Sequence, residues 1–250
     1  MKRTSAICLG LLVASPSVQA DEALIAVATN FARVAGQLES SFEQNTHHDV
    51  TITTGSTGIL YAQILNGAPY DALLAADTER PALLLESTDA VDGSAFTYAI
   101  GSLVLWSASP AMIQSDLRST LVQDGVSALA IANPALAPYG AASREALQSL
   151  GVWDTVRDRI VMGENVGQTM ALIATGNAAI GIVSRSQVVN GDTLPGQKYL
   201  PVPQNLHERI RQDAVLLQHG SKNRAARDFL EFMKSTEGQA VIESNGYGVE

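Results

Sequence analysis

Residues 49–67, DVTITTGSTGILYAQILNG, change their hydrophobic period across four small residues, Gly55–Gly58. Val50 and Ile52 alternate with polar residues, as on a half-buried strand, whereas Leu60, Ile64 and Leu65 fall on one helical face. The same change occurs earlier. Residues 24–28 (LIAVA) form a compact apolar strand, Thr29-Asn30 follow, and Phe31, Val34, Ala35, Leu38 and Phe42 then recur at helical spacing. A third apolar run, Ala72–Ala76, ends at Asp77. Apolar runs that alternate with helices indicate a parallel sheet covered on both faces.

A second series repeats the pattern. Ser102–Trp106, Leu129–Ala132, Ile160–Met162 and Ala178–Val183 read as strands. Helices are expected over Ala141–Leu150, stopped by Gly151, and over Val166–Ala174, stopped by Gly176-Asn177. The tail is helical around Phe229, Leu230 and Phe232, and closes on Gly246-Tyr247-Gly248. The fold class is α/β. One doubly wound sheet of so many strands would be unusually wide, which points to two lobes.

The first twenty residues read as a removable leader. Lys2 and Arg3 precede an apolar run, Ala6–Val13, followed by Pro16 and the small-residue pattern Val18-Gln19-Ala20. Cleavage after Ala20 removes Cys8, the sole cysteine, so the exported chain holds itself by its core and not by disulfides. Without Lys2 and Arg3, the 16 basic residues fall to 14 against 25 acidic ones. Such an acidic chain is a poor match for nucleic acid or for an anionic membrane surface. No later segment has the ~18 uninterrupted apolar residues of a membrane helix.

Four polar turns stand where strands give way to helices: Thr29-Asn30, Ser56-Thr57, Tyr139-Gly140 and Asn165-Val166. The carboxyl ends of parallel strands are the binding edge of an open sheet. The first N–H groups of a helix lack partners inside it and carry about half a positive charge. Small side chains there make an anion site that needs no lysine or arginine. Each turn also has a plainer role, since Ser, Thr and Asn commonly cap their own helices, and a buried tyrosine finds a carbonyl. Two turns lie in each half of the chain, an arrangement suited to a ligand clamped between lobes.

The segments VATNFARVAGQLESSFE, GSTGILYAQILNGAPYDALLAAD, FTYAIGSLVLWS, ANPALAPYGAASREALQSLGVWD and GENVGQTMALIATGNAAIGIVSRSQ, with the closing GYG, occur in this order. Together they closely resemble the periplasmic molybdate-binding proteins of ABC transporters. The resemblance implies a two-lobed periplasmic binding protein of type II, its parallel-type sheets flanked by helices and its ligand cleft between lobes. It implies lobes of residues 21–98 plus 206–250 and 99–205, with crossings near Tyr98–Gly101 and Tyr199–Asn205. It further implies molybdate or tungstate as ligand, no cofactor, a membrane permease as partner, a monomeric state and a periplasmic location. Carried over by position, the contacts fall on Asn30 with Thr29 beside it, on Thr57 with Ser56 in the same turn, on Tyr139, and on the backbone N–H of Val166. Some relatives use a further tyrosine where this chain has Ser184. Tyr139 is then expected to supply that hydroxyl, leaving Ser184 structural.

These residues suit the chemistry. Molybdate at neutral pH is a tetrahedral dianion with acceptor oxygens only, and Thr29, Asn30, Thr57 and Tyr139 can all donate. Of the four turns, only that of Asn165 has a carboxylate beside it, Glu164. A site of donors alone disfavours hydrogenphosphate, whose proton would lack an acceptor; sulfate must be told apart by size. The rivals are a carrier of sulfate or phosphate and a secreted hydrolase. No G-x-S-x-G elbow, H-E-x-x-H motif or cysteine nucleophile supports a hydrolase. His47-His48 are expected to be solvated, and Asp71 to brace its turn rather than to form a catalytic pair with Asp77.

Overall fold

A computed structural model of the protein describes residues 21–189 and 198–250; the leader read over residues 1–20 lies outside the described residues. Strands β1 (Glu22–Ala28), β2 (Asp49–Gly55), β3 (Ala72–Leu74), β4 (Phe96–Gly101) and β5 (Leu103–Trp106) occupy the first half, with β6 (Leu129–Ala132), β7 (Ile160–Gly163), β8 (Ile180–Ser184), β9 (Tyr199–Pro201) and β10 (Ile210–Leu216) in the second. Helices α1 (Ala32–Asn45), α2 (Thr57–Leu65), α3 (Glu79–Glu86), α4 (Leu117–Val122) and α5 (Pro138–Ser149) connect the earlier strands. They are followed by α6 (Trp153–Val156), α7 (Val166–Ala174) and α8 (Arg185–Val189), and α9 (Arg224–Lys234) and α10 (Thr236–Ser244) close the chain. Among the described residues, no helix is long and apolar enough to cross a membrane.

The strands form two five-stranded sheets of the same design, β2-β1-β3-β10-β4 and β7-β6-β8-β5-β9. In each, the first three strands are parallel and the last two run antiparallel to their neighbours. The alternation of strands and helices anticipates the parallel part. The antiparallel strands are those that carry the chain between sheets. At the first crossing, β4 in one sheet passes to β5 in the other through Ser102 alone. The return, from β9 to β10, is longer.

Strand β1 shows why the apolar runs are continuous. Its Ala23, Ile25 and Val27 face a cluster with Phe31, Leu38, Phe42 and Phe229. Ala26 faces the other side, with Leu60, Leu73, Leu84 and Val215. The second sheet is buried in its own cluster, around Leu105, Ile131, Leu147 and Ile182. Strand β10 escapes a reading by hydrophobic alternation because Gln212 occupies a fully buried position on its inward face.

Two sequence expectations meet different outcomes here. His48 is not solvated: it is buried, stacks on Phe42 at 6.2 Å, accepts a hydrogen bond from the Asp21 N–H through Nδ1, and lies 3.3 Å from the Asp228 carboxylate. Pairing of Asp49 opposite Glu22 at the start of β2 draws its neighbour in. Asp71 does brace its surroundings, since one carboxylate oxygen accepts from the Leu24 N–H at 2.8 Å and the other faces His219 Nδ1 at 3.1 Å.

Helix α9 covers the first sheet with Ala225, Ala226, Phe229, Leu230 and Met233, and Phe229 meets Phe42 edge-on at 5.5 Å. Phe229→Ala should therefore cost about 3–5 kcal/mol of stability, the range for a large buried aromatic truncated to alanine, measured by urea denaturation of the ligand-free protein.

Candidate functional site

The registers of the two sheets bring two pairs of strand ends level. The β1/β2 ladder finishes at Ala28 opposite Gly55, and the β6/β7 ladder at Ala132 opposite Gly163. Each of these four strands leads into a helix start. Ala28 enters a tight turn, Thr29–Phe31, before α1, and Gly55 enters α2 through Ser56. Ala132 reaches α5 through a short loop, and Gly163 reaches α7 through Glu164-Asn165. The two pairs of ends face one another across the gap between the sheets. Thr29, Asn30, Ser56, Thr57, Tyr139 and Val166 all line one small cavity there, together with backbone and side-chain atoms of Ala28, Gly55 and Ala76. The space open to the centre of a water-sized sphere is only ≈ 10 Å³, about one such sphere. Nothing as large as a sugar or a nucleotide fits.

The donors in this cavity are unclaimed to an unusual degree. The turn at Thr29, α2 and α5 all begin without a side-chain cap, so no side chain occupies their first amides, although the Gly58 and Gly140 N–H groups are taken by the Leu136 and Ala137 carbonyls. Asn165 is different: its side chain accepts from the Gln168 N–H at 3.0 Å and caps its own helix. Among the described residues, five buried side-chain polar atoms lack a partner, and three belong to cavity-lining residues: Thr29 Oγ1, Ser56 Oγ and the Tyr139 hydroxyl. A buried polar atom left unpaired costs about 1–3 kcal/mol. The two hydroxyls of Thr29 and Ser56, on adjoining turns of this one small space, therefore mark it as a place suited to a bound group, while the Tyr139 hydroxyl lies deeper, beside Gly101 and Gln212.

The side chains of Thr57 and Asn30 are already engaged. Thr57 Oγ1 accepts from the Ala76 N–H at 3.0 Å. The Asn30 amide donates to Gln212 Oε1 at 2.6 Å and to the Tyr247 hydroxyl at 3.0 Å. In these two turns the free hydroxyls are those of Thr29 and Ser56, while Asn30 and Thr57 present peptide N–H groups. The Tyr139 hydroxyl lies over Gly101, where a Cβ would collide with it. Burial pushes its pKa well above the usual tyrosine value, and the neighbouring Tyr247 adds to the rise. It therefore stays protonated and able to donate. Ser184, completely buried, is hydrogen-bonded to Ser186 at 2.7 Å.

None of the residues lining the cavity carries a formal charge. Glu164 is exposed and bonded to the Gln168 side chain. Asp77, just beyond Ala76, accepts from the Arg80 N–H at 3.0 Å and pairs with its guanidinium. Burial pushes the Asp77 carboxyl up, and Arg80 pulls it back. Asp71 and Asp77 thus have separate structural partners, and among the described residues no group of three or more His, Cys, Asp or Glu is placed to hold a metal ion.

The geometry agrees with the relationships of the chain. Residues 23–248 match the family model described as bacterial extracellular solute-binding protein. This chain belongs to that family. It is 41% identical over 246 residues to the "Molybdate-binding protein ModA" of Rhodobacter capsulatus, covering 98% of this chain and 95% of that one. It is likewise 41% identical over 244 residues to the protein of the same name from Azotobacter vinelandii, covering 98% and 96%. The solved Azotobacter vinelandii periplasmic molybdate-binding protein superposes with a TM-score of 0.86 at 38% identity, covering 91% of this chain and 99% of that one.

In this solute-binding protein the two sheets meet directly around the cavity. The Gly58 N–H on α2 donates to the Leu136 carbonyl at 2.9 Å, and a Cβ on Gly58 would lie 3.0 Å from that oxygen. A Cβ on Gly167 would lie 2.6 Å from Thr29 Cγ2. Neither glycine has a left-handed backbone, so the requirement is closeness across the gap. Gly58→Ala and Gly167→Ala should each penalise the closed arrangement by about 1–3 kcal/mol, as overpacking does. Both should give a larger radius of gyration in small-angle scattering without loss of helix content by circular dichroism.

Proposed function

We propose that this solute-binding protein captures molybdate, or the similar tungstate, and delivers it to the membrane permease of an ABC transporter, working as a monomer in the periplasm. The proposed lobes are residues 21–98 plus 206–250 and residues 99–205. The proposed contacts are Thr29, Asn30, Ser56, Thr57, Tyr139 and Val166. The observation that carries the reading is the charge-free cavity formed where four helices begin, with the hydroxyls of Thr29 and Ser56 left without partners. The names of the relatives at 41% identity supply the ion.

A dianion has acceptors and nothing to donate, so every group facing it has to be a donor. Peptide N–H groups at helix starts meet this need and add the favourable end of the helix dipole. Thr29 Oγ1 and Ser56 Oγ, without partners inside the protein, supply hydroxyls. The Asn30, Thr57 and Val166 amides complete the set, with Tyr139 closing the cavity from the opposite side. Preformed neutral donors lose little in reorganisation, and a low-dielectric surrounding strengthens each bond. Hydrogenphosphate would bring a proton into a space without a carboxylate or imidazole to accept it. Sulfate has the right charge and shape, and a cavity matched to the longer molybdenum–oxygen bond discriminates by size.

Thr29→Val and Ser56→Ala each remove one donor with little change in shape. Each should weaken molybdate binding by about 1.5–3 kcal/mol, the range for a hydrogen bond to a charged group, which calorimetry reads as roughly ten-fold or more in dissociation constant. Unchanged affinity in both would refute the assignment, and tighter binding of sulfate or phosphate than of molybdate would refute the ligand. Because no lining group titrates near neutrality, and burial raises the Tyr139 pKa further, the affinity for molybdate should stay flat from about pH 6.5 to 9.

A further inference from the structure

Behind the cavity lies a second buried polar cluster that draws on both sheets. Tyr247, in the closing Gly-Tyr-Gly, donates its hydroxyl proton to the Asn30 carbonyl at 2.7 Å and accepts from the Asn30 side-chain amide at 3.0 Å. Its ring packs edge-on against Phe31 at 5.3 Å. The segment is tied to β4 by paired backbone bonds between Gly248 and Ile100, at 2.7 and 3.0 Å. All of these groups belong with the first sheet. The remaining partner comes from the other side. Ser186, just after β8, brings its hydroxyl to 2.9 Å from the Tyr247 oxygen and 3.3 Å from the Asn30 carbonyl, while Ser184 meets it from behind at 2.7 Å. Asn30, Ser184, Ser186 and Tyr247 are each at most 5% exposed.

We propose that Tyr247 and Ser186 are positioning residues for ion capture, forming a hydroxyl latch that holds the Thr29–Asn30 turn against the second lobe when the lobes are closed. The proposal rests on the oxyanion-binding reading for its function, although the latch itself is a property of the closed fold. Its logic is geometric. Bonds on both the carbonyl and the side chain of Asn30 fix the orientation of that residue, and hence the direction of the turn's peptide N–H groups. The Tyr247–Asn30 bonds lie within one lobe and persist when the lobes part. The Ser186 bonds cross between lobes and exist only in the closed form. An interaction of that kind slows opening and leaves the first encounter with the ion unchanged, so it acts on the dissociation rate. The adjacent bond from Arg185 Nη1 to the Gly246 carbonyl, at 3.2 Å, reinforces the same seam.

The test uses stopped-flow kinetics with sodium molybdate on the full chain and on Tyr247→Phe, Ser186→Ala and the double variant. Tyr247→Phe keeps the ring on Phe31, and Ser186→Ala leaves the Tyr247 hydroxyl its partners on Asn30, so both variants retain their packing. Each single change should raise the dissociation rate about five-fold, on the scale of one net hydrogen bond, with the association rate within about two-fold of the wild type. The double variant should fall short of the product of the two single effects, because Ser186 and Tyr247 bond each other as well as Asn30. Unchanged dissociation rates in both single variants, or effects that multiply as for independent sites, would overturn the latch. If the wild-type chain shows no response to molybdate, the functional reading fails. Scattering from the ligand-free proteins then decides the latch: more expanded variants support it, and equal radii of gyration refute it.

Discussion

The site depends on helix starts that no side chain caps, gathered around one small space. A helix leaves its first amides without partners, and most proteins satisfy them with a capping side chain or with water. Here the turn at Thr29, α2 and α5 begin uncapped, inside the molecule, around one small space. Because the amides of two lobes converge there, the fold carries a concentrated positive potential without a single cation in the lining. An acidic chain can therefore offer an anion a favourable site, as the proposed function requires. Overall charge acts at long range and is screened by salt, whereas the helix ends act at contact distance in a space too small for bulk water.

This arrangement requires the strand ends to be level and the two lobes to be close. The ladders ending at Ala28–Gly55 and Ala132–Gly163 provide the first. Gly58 and Gly167, where a side chain would crowd the seam, provide the second. The buried cluster of Asn30, Gln212, Tyr247 and Ser186 adds direction, holding the first turn from behind. Polar groups in a protein interior specify geometry only when they are satisfied, and those around Asn30 largely are. Among the described residues, Thr29 Oγ1 and Ser56 Oγ, on turns that line the cavity, are without a partner, and in the rear cluster the Gln212 amide nitrogen is too.

Much of this was legible in the residues themselves. The change of period at Gly55–Gly58 marks the end of β2 and the start of α2 within a residue or two, and LIAVA marks β1. All six residues expected at the site line one cavity. What sequence could not convey was the division of labour within each turn. Thr29 and Asn30 are neighbours, as are Ser56 and Thr57, and only the fold decides which hydroxyl or amide is already bonded elsewhere. Asn30 is drawn away by Gln212 and Tyr247, partners about 180 and 220 residues distant along the chain. Gln212 itself hides β10, because a polar residue at a buried strand position breaks the alternation on which such a reading relies. His48 was missed for a related reason, its partners Asp21 and Asp228 lying far away in sequence.

The two crossings between sheets are unequal. β4 and β5 are separated by Ser102 alone, whereas the return from Pro201 to Ile210 spans a loop with its own short turn at Gln204–Leu206. A single intervening residue permits torsion and almost no translation, since its reach is only that of one peptide unit. If the halves separate, Ser102 is the point where they can move apart least, and the longer return segment gives more freedom. The cavity would then gape most at the side farthest from that point.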